Sequence, residues 1–154
     1  MKVAIAGSRR LPAGQAPRLL VRFLAALPED AIILMRRPAS IDAMPGMFEI
    51  DVSGLASILH LDVEWFKPAP TDRHPGRAAV YYRDIEMVER ADLVLLFLAA
   101  KDATDSHSGT GHLMDKALDA ARPVYTYIVH DDGRVERFGE YDPEHLYANI
   151  APSA

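Results

Sequence analysis

The chain has 154 residues, with 17 Lys and Arg set against 22 Asp and Glu for a formal net charge of -5; 49% of residues are hydrophobic and none is cysteine. That describes one globular domain with enough chain for a real core, without disulfides, thiolate catalysis or zinc–thiolate sites, and with an acidic balance that argues against nucleic acid as a general partner. No apolar run approaches the ~18 residues of a membrane span, and Met1-Lys-Val-Ala-Ile-Ala-Gly7 reads as a strand rather than a signal peptide, so a cytoplasmic protein without membrane contact is expected.

Val3 to Ala6 is a short buried strand that ends at Gly7-Ser8-Arg9-Arg10, where a glycine permits a tight turn or close approach to a ligand. Pro17 opens a helix whose Leu20, Phe23, Leu24 and Leu27 recur at i, i+3, i+4 and i+7 before Pro28. Ala31 to Met35 is a second buried strand, ending at Arg36-Arg37-Pro38, and an irregular loop from Ala39 to Gly46 follows it. Phe48, Val52, Leu55 and Leu59 then predict a helix over Met47 to His60, and Leu61 to Phe66 alternates like a third strand. Lys67 to Gly76 is proline-rich, a candidate lid or a plain connector.

Arg77 to Ala91 is predicted helical, with Ala78, Tyr81, Ile85 and Val88 as its core face and Met87 on a second, exposed face. Leu93 to Ala99, seven apolar residues in a row, fit a strand buried on both sides. Ser108-Gly109-Thr110-Gly111 then leads into an amphipathic helix over Leu113 to Ala121. Strand, glycine-containing turn and helix is how α/β proteins build an anion site, because backbone N–H groups at a helix N-terminus face the ligand. Val124 to Val129 is a fifth strand; Asp132-Gly133 signals a hairpin that returns Arg134 to Phe138 as an antiparallel edge.

Strands alternating with helices at this spacing imply an α/β, three-layer Rossmann-like fold. The expected sheet is mostly parallel, of order 3-2-1-4-5, with a C-terminal antiparallel edge hairpin. One domain spans 1–138, and 139–154 form a polar tail. Ligands of such sheets bind at the carboxyl ends of the strands beside the switch in strand order, here between strands one and four. Gly7, Ser8 and Arg9 should meet Ser108, Gly109, Thr110 and Gly111 there.

Arg9, Arg10, Arg36, Arg37 and Lys67 follow directly on the first three strands, and Arg73, Arg77 and Arg83 lie just beyond the third. These eight of 17 cations should line one edge of an otherwise acidic protein, some of them paired with Asp42, Asp72, Asp84 or Glu86. As a group they point to an anionic ligand, for which arginine offers bidentate recognition. His74, His107 and His112 have no ligand-motif spacing, so no metal is expected.

Four segments carry a resemblance: Val3-Ala-Ile-Ala-Gly-Ser-Arg9, Tyr82-Arg-Asp-Ile-Glu-Met-Val88, Ala91-Asp-Leu-Val-Leu95, and Gly109-Thr110 ahead of Ala117 and Pro123-Val124. They resemble motifs of the SLOG superfamily, Rossmann-like proteins that include the LOG phosphoribohydrolases, the YspA-like proteins and the core domain of DprA. The similarity covers about residues 1–129. It implies a nucleotide, nucleotide-derived or sugar-phosphate ligand, no separate cofactor, and a homodimer through the helix that carries Arg83 and Met87.

Three departures bear on activity. The glycine-rich turn after the family's second strand is Arg36-Arg37-Pro38 here, and the Pro-Gly-Gly that precedes Gly-Thr in LOG enzymes is Ser106-His107-Ser108. The catalytic glutamate of LOG enzymes, and of the loosely similar nucleoside deoxyribosyltransferases, falls three residues after the threonine; that position is Leu113, which cannot act as acid, base or nucleophile. The sequence therefore favours a module that binds a nucleotide-type anion without turnover, through Gly7, Ser8, Arg9, Arg36, Arg83, Ser108, Gly109, Thr110 and Gly111. The alternative is an N-glycosidic bond hydrolase or transferase in which Arg83 holds a phosphate and Glu86, at the spacing of a LOG-family site pair, polarises a water. A DprA-like single-strand DNA binder is the third option and is disfavoured by the net charge.

Overall fold

Alternate residues of each central strand enter different cores, and that alternation divides the protein into three layers. The computed structural model describes residues 1–8, 11, 18–37, 47–68, 77–100 and 109–138. Its elements are β1 (Lys2–Gly7), α1 (Arg18–Ala26), β2 (Ile32–Arg36), α2 (Met47–Ile58), β3 (Asp62–Phe66), α3 (Arg77–Arg90), β4 (Leu93–Ala99), α4 (Gly109–Asp119), β5 (Val124–Val129) and β6 (Val135–Phe138). The sheet order is β3-β2-β1-β4-β5-β6, parallel except for the β5–β6 hairpin. The α/β, mostly parallel Rossmann-like fold read from the sequence is the fold observed.

Val3, Ile5, Ile33, Met35, Leu93, Leu95, Phe97, Tyr125 and Tyr127 face one way and pack under α1 and α2 with Leu20, Phe23, Leu24, Phe48, Val52 and Ala56. Ala4, Ala6, Leu34, Val94, Leu96 and Val124 face the other way, under α3 and α4, with Met87, Val88, Ala91, Leu113 and Ala117. Small residues on β1 (Ala4, Ala6) let the second layer approach the sheet closely. Each helix starts at the carboxyl edge of the strands and runs back to the amino edge, as crossovers between parallel strands require.

Most element bounds shift by one or two residues from the expectation, and two of the shifts bear on the site. Strand β1 runs through Gly7 rather than stopping at Ala6, and α4 begins at Gly109 rather than Leu113. The second shift turns Gly109-Thr110-Gly111 from a loop before the helix into its first turn.

Helix α3 also lies with a different face inward. Ala79, Asp84, Met87, Val88 and Ala91 are buried, whereas Tyr81 and Tyr82 are exposed at 45% and 50%. Met87 belongs to the second core and not to an exposed face. The apolar spacing admitted two faces, and the sheet contact selects the one holding Met87 and Val88, because two polar residues on that face, Arg83 and Asp84, bury each other.

Helices α2 and α4 close with matching caps. His60 and Ala121 sit in the left-handed region, at φ 58° and 55°. The N–H of Leu61 donates to the Ala56 carbonyl and that of His60 to Ser57; Arg122 and Ala121 do the same to Ala117 and Leu118. This is the Schellman pattern, built here without glycine. At the hairpin, Gly133 takes φ 86° and the Asp132 carboxylate accepts the Arg134 N–H at 2.9 Å, as the Asp-Gly signal led us to expect. Among the described residues no helix is long and apolar enough to cross a membrane.

Candidate functional site

The switch in strand order falls between β1 and β4, whose neighbours β2 and β5 lie to either side. At this point the chain keeps its sheet bonding going past the end of β1. Ser8 donates its N–H to the Phe97 carbonyl (2.9 Å), its Oγ accepts the Ala99 N–H (3.1 Å), and its carbonyl accepts the Leu11 N–H (3.2 Å). Ser8 is buried and stitches the two strands together at their carboxyl ends.

Gly7 has a packing reason to be glycine. A Cβ built there would lie 2.4 Å from both Cγ and Cδ1 of Phe48 and 3.0 Å from Leu11 Cδ1. The ring of Phe48, in the first turn of α2, therefore fills the space above β1 on the α1/α2 side. It sits 5.3 Å from the Phe97 ring, which lies 5.6 Å from that of Tyr127. This aromatic row fills the α1/α2 side of the sheet next to the carboxyl ends of β1, β4 and β5.

Two arginines at this edge are each held by a buried carboxylate and a strand-end carbonyl. Arg36, the last residue of β2, places Nη2 3.4 Å from Glu49 Oε1 and donates to the Gly7 carbonyl at 3.1 Å. Glu49 lies in the first turn of α2, where the helix dipole favours a negative charge. Arg83 turns Nε and Nη2 onto Asp84 Oδ1 at 3.1 and 3.0 Å and donates from Nη1 to the Arg37 carbonyl at 3.2 Å. The Arg83 side chain is 10% exposed and the Asp84 carboxylate 1%. Arg37 and Lys67 are exposed at the same edge.

Helix α4 faces the edge from the second layer. By helix geometry its first N–H groups, at Gly109, Thr110 and Gly111, lack intrahelical partners and carry the positive end of the dipole. Leu113 is fully buried in the core formed with Ala6, Leu96 and Ala117 and serves packing.

Glu86 is 56% exposed and lies in the half of α3 that runs toward the amino edge; it pairs with Arg90 at 3.1 Å, and Arg90 reaches on to Glu64 at 3.0 Å. Asp92 also lies at the amino edge, where its carboxylate accepts the Lys2 N–H at 2.8 Å. Of the residues expected to form the site, Gly7, Ser8, Arg36 and Arg83 are brought to the carboxyl edge, and the backbone of Gly109, Thr110 and Gly111 faces the same edge. Arg9, Arg10, Arg73, His74, His107, Ser108 and the 139–154 tail lie outside the described residues, as does the proposed lid beyond Pro68. Among the described residues no group of three His, Asp or Glu side chains could hold a metal ion.

Sequence reasoning missed Phe48 and Glu49 as shapers of this edge. Glu49 falls three residues after the Ala39–Gly46 loop and one after a core phenylalanine, with no periodicity to mark it as buried. The one available signal was its place in a first helical turn opposite Arg36-Arg37. Compared with protein-family models, curated proteins and solved structures, the chain matches none of them.

Proposed function

We propose that the protein is a SLOG-type module that binds a nucleotide or nucleotide-derived anion at the carboxyl edge of its sheet without turning it over. The observation that carries this reading is that a helix N-terminus and an ordered arginine, on two helices of one layer, both lie at the carboxyl edge of the sheet. The first turn of α4, Gly109-Thr110-Gly111, offers backbone donors to an anion, and Arg83 is fixed on the neighbouring helix of the same layer. Arginine and oriented amides together suit a phosphate better than a neutral ligand.

What supports the reading without turnover is the chemistry of the described residues at this edge. Leu113 is apolar and buried where a hydrolase of the resembled families carries its carboxylate, and Glu49 and Asp84 are engaged with arginines. A homodimer, if it uses α3, draws on the exposed Tyr81 and Tyr82 rather than on Met87, and light scattering reports its mass.

Thermal-shift titration with the four ribonucleoside 5′-monophosphates, ADP and ribose 5-phosphate tests the reading. At least one should raise the melting temperature in proportion to the logarithm of its concentration, and the rise should vanish in Arg83→Ala and shrink in Thr110→Pro. No shift from any of them removes the proposal.

A further inference from the structure

The inward face of α3 is apolar at Ala79, Met87, Val88 and Ala91, yet Asp84 sits on it and is fully buried. Packing does not call for a carboxylate there. An apolar residue of similar volume would fill the site with no desolvation cost, and exchanges of that kind for buried ion pairs are often neutral or stabilising. One thing Asp84 accomplishes is geometric. Both Nε and Nη2 of Arg83 rest on its Oδ1, at 3.1 and 3.0 Å, which sets the plane of the guanidinium. The third tether, Nη1 to the Arg37 carbonyl at 3.2 Å, reaches a backbone unit that is itself pinned, since the Arg37 N–H donates to the Phe66 carbonyl at 2.7 Å. A long flexible side chain is thereby held between α3 and the ends of β2 and β3.

We propose that Asp84 is the positioning residue of the ligand site, its buried carboxylate holding Arg83 in one plane for capture of the ligand's phosphate. The proposal rests on the nucleotide-site reading above. Preorganisation is its physical basis: an arginine already ordered gives up less conformational freedom when the anion arrives. The neutral pair attracts an anion less at long range than a lone arginine would, so its contribution comes through orientation. The same geometry sets a competing expectation. If Asp84 were only a counter-ion, removing its charge would leave a more cationic edge and tighter binding.

Calorimetric titration of the tightest-binding ribonucleoside 5′-monophosphate into wild type, Asp84→Asn and Asp84→Glu separates these cases, with melting temperature recorded for each. Positioning predicts a loss of about tenfold in affinity for Asp84→Asn, the scale of one charge-assisted hydrogen bond, and a smaller loss for Asp84→Glu, which keeps the charge. Equal or tighter binding by a less stable Asp84→Asn overturns the proposal and leaves the nucleotide site standing. Should Asp84→Asn not fold, Asp84→Glu decides: undiminished affinity overturns the proposal, and a several-fold loss from a carboxylate displaced by one methylene supports it. Failure of wild type to bind any of the monophosphates overturns both readings.

Discussion

Replacing Gly7 with alanine tests whether this glycine serves packing or ligand approach. The added methyl would stand 2.4 Å from Cγ and Cδ1 of Phe48, well inside contact distance, and Cγ is the fixed root of the ring rather than a mobile tip. Phe48 has little room to retreat, because Phe97 lies 5.3 Å behind it and is itself fully buried. Overpacking of this kind costs about 1–3 kcal/mol. The unfolded chain, made stiffer by alanine, returns about 0.4–1 kcal/mol. The net loss should be roughly 1–2 kcal/mol, a fall of about 2–8 °C in melting temperature for a domain of this size. Urea unfolding of wild type, Gly7→Ala, Phe48→Leu and the double variant closes a thermodynamic cycle. Phe48→Leu alone should cost about 1–2 kcal/mol, and in its background Gly7→Ala should cost nothing or stabilise slightly. Equal cost in the two backgrounds would refute the packing account. A Gly7→Ala protein as stable as wild type but unable to bind a nucleotide would show that the glycine is there for the ligand after all.

Three further substitutions probe the neighbouring features. Ala121→Gly relieves a left-handed residue that carries a Cβ in the α4 cap, and should raise stability by roughly 0.5–1 kcal/mol in urea unfolding, whereas the same change in mid-helix would lower it. Leu113→Glu, which restores the glutamate of the resembled enzymes, inserts a charge into a fully buried apolar position; it should cost at least ~3 kcal/mol by the same assay and release no base from nucleoside monophosphates. Glu86→Gln removes one arm of an exposed ion pair and should change stability by less than ~0.5 kcal/mol. If wild type releases free base from a nucleoside monophosphate and Glu86→Gln does not, the hydrolase alternative gains the support that the position of Glu86 does not give it.

The strands and their order were legible because parallel strands buried on both faces read as apolar runs, and Val3–Ala6, Ala31–Met35 and Leu93–Ala99 have no other sensible reading. Helix α1 was equally plain from Leu20, Phe23, Leu24 and Leu27. Helix α3 was not, since a helix with aromatic residues on one flank and a polar pair on the other gives two apolar stripes of similar merit. Periodicity rewards Tyr81 and Ile85 and penalises Arg83 and Asp84; it has no means of knowing that adjacent charges will neutralise each other against the sheet. The site suffered from the same blindness. That Arg36 and Arg83 stand at the carboxyl edge follows from their place in the chain, and Asp84 is among the carboxylates the sequence offers as partners; Glu49 is not, because its burial depends on how α2 is rotated, which is tertiary information. From the sequence Gly7 reads as a tight turn or a point of ligand approach; the neighbour that needs its missing side chain, Phe48, comes from 41 positions further along the chain.

The pairing changes what the cationic edge can do. Eight cations clustered in solution would attract any polyanion, strongly at low salt and weakly at physiological ionic strength. Two of the four whose side chains are described, Arg36 and Arg83, are instead bound into nearly buried ion pairs that hold helices to strand ends. Their long-range field is largely cancelled by Glu49 and Asp84, while their geometry is sharpened. An edge built this way discriminates by shape and hydrogen-bond direction at short range. That is the behaviour the proposed binding of one small phosphorylated ligand calls for, whereas affinity for a long nucleic acid backbone grows with the number of unpaired cations.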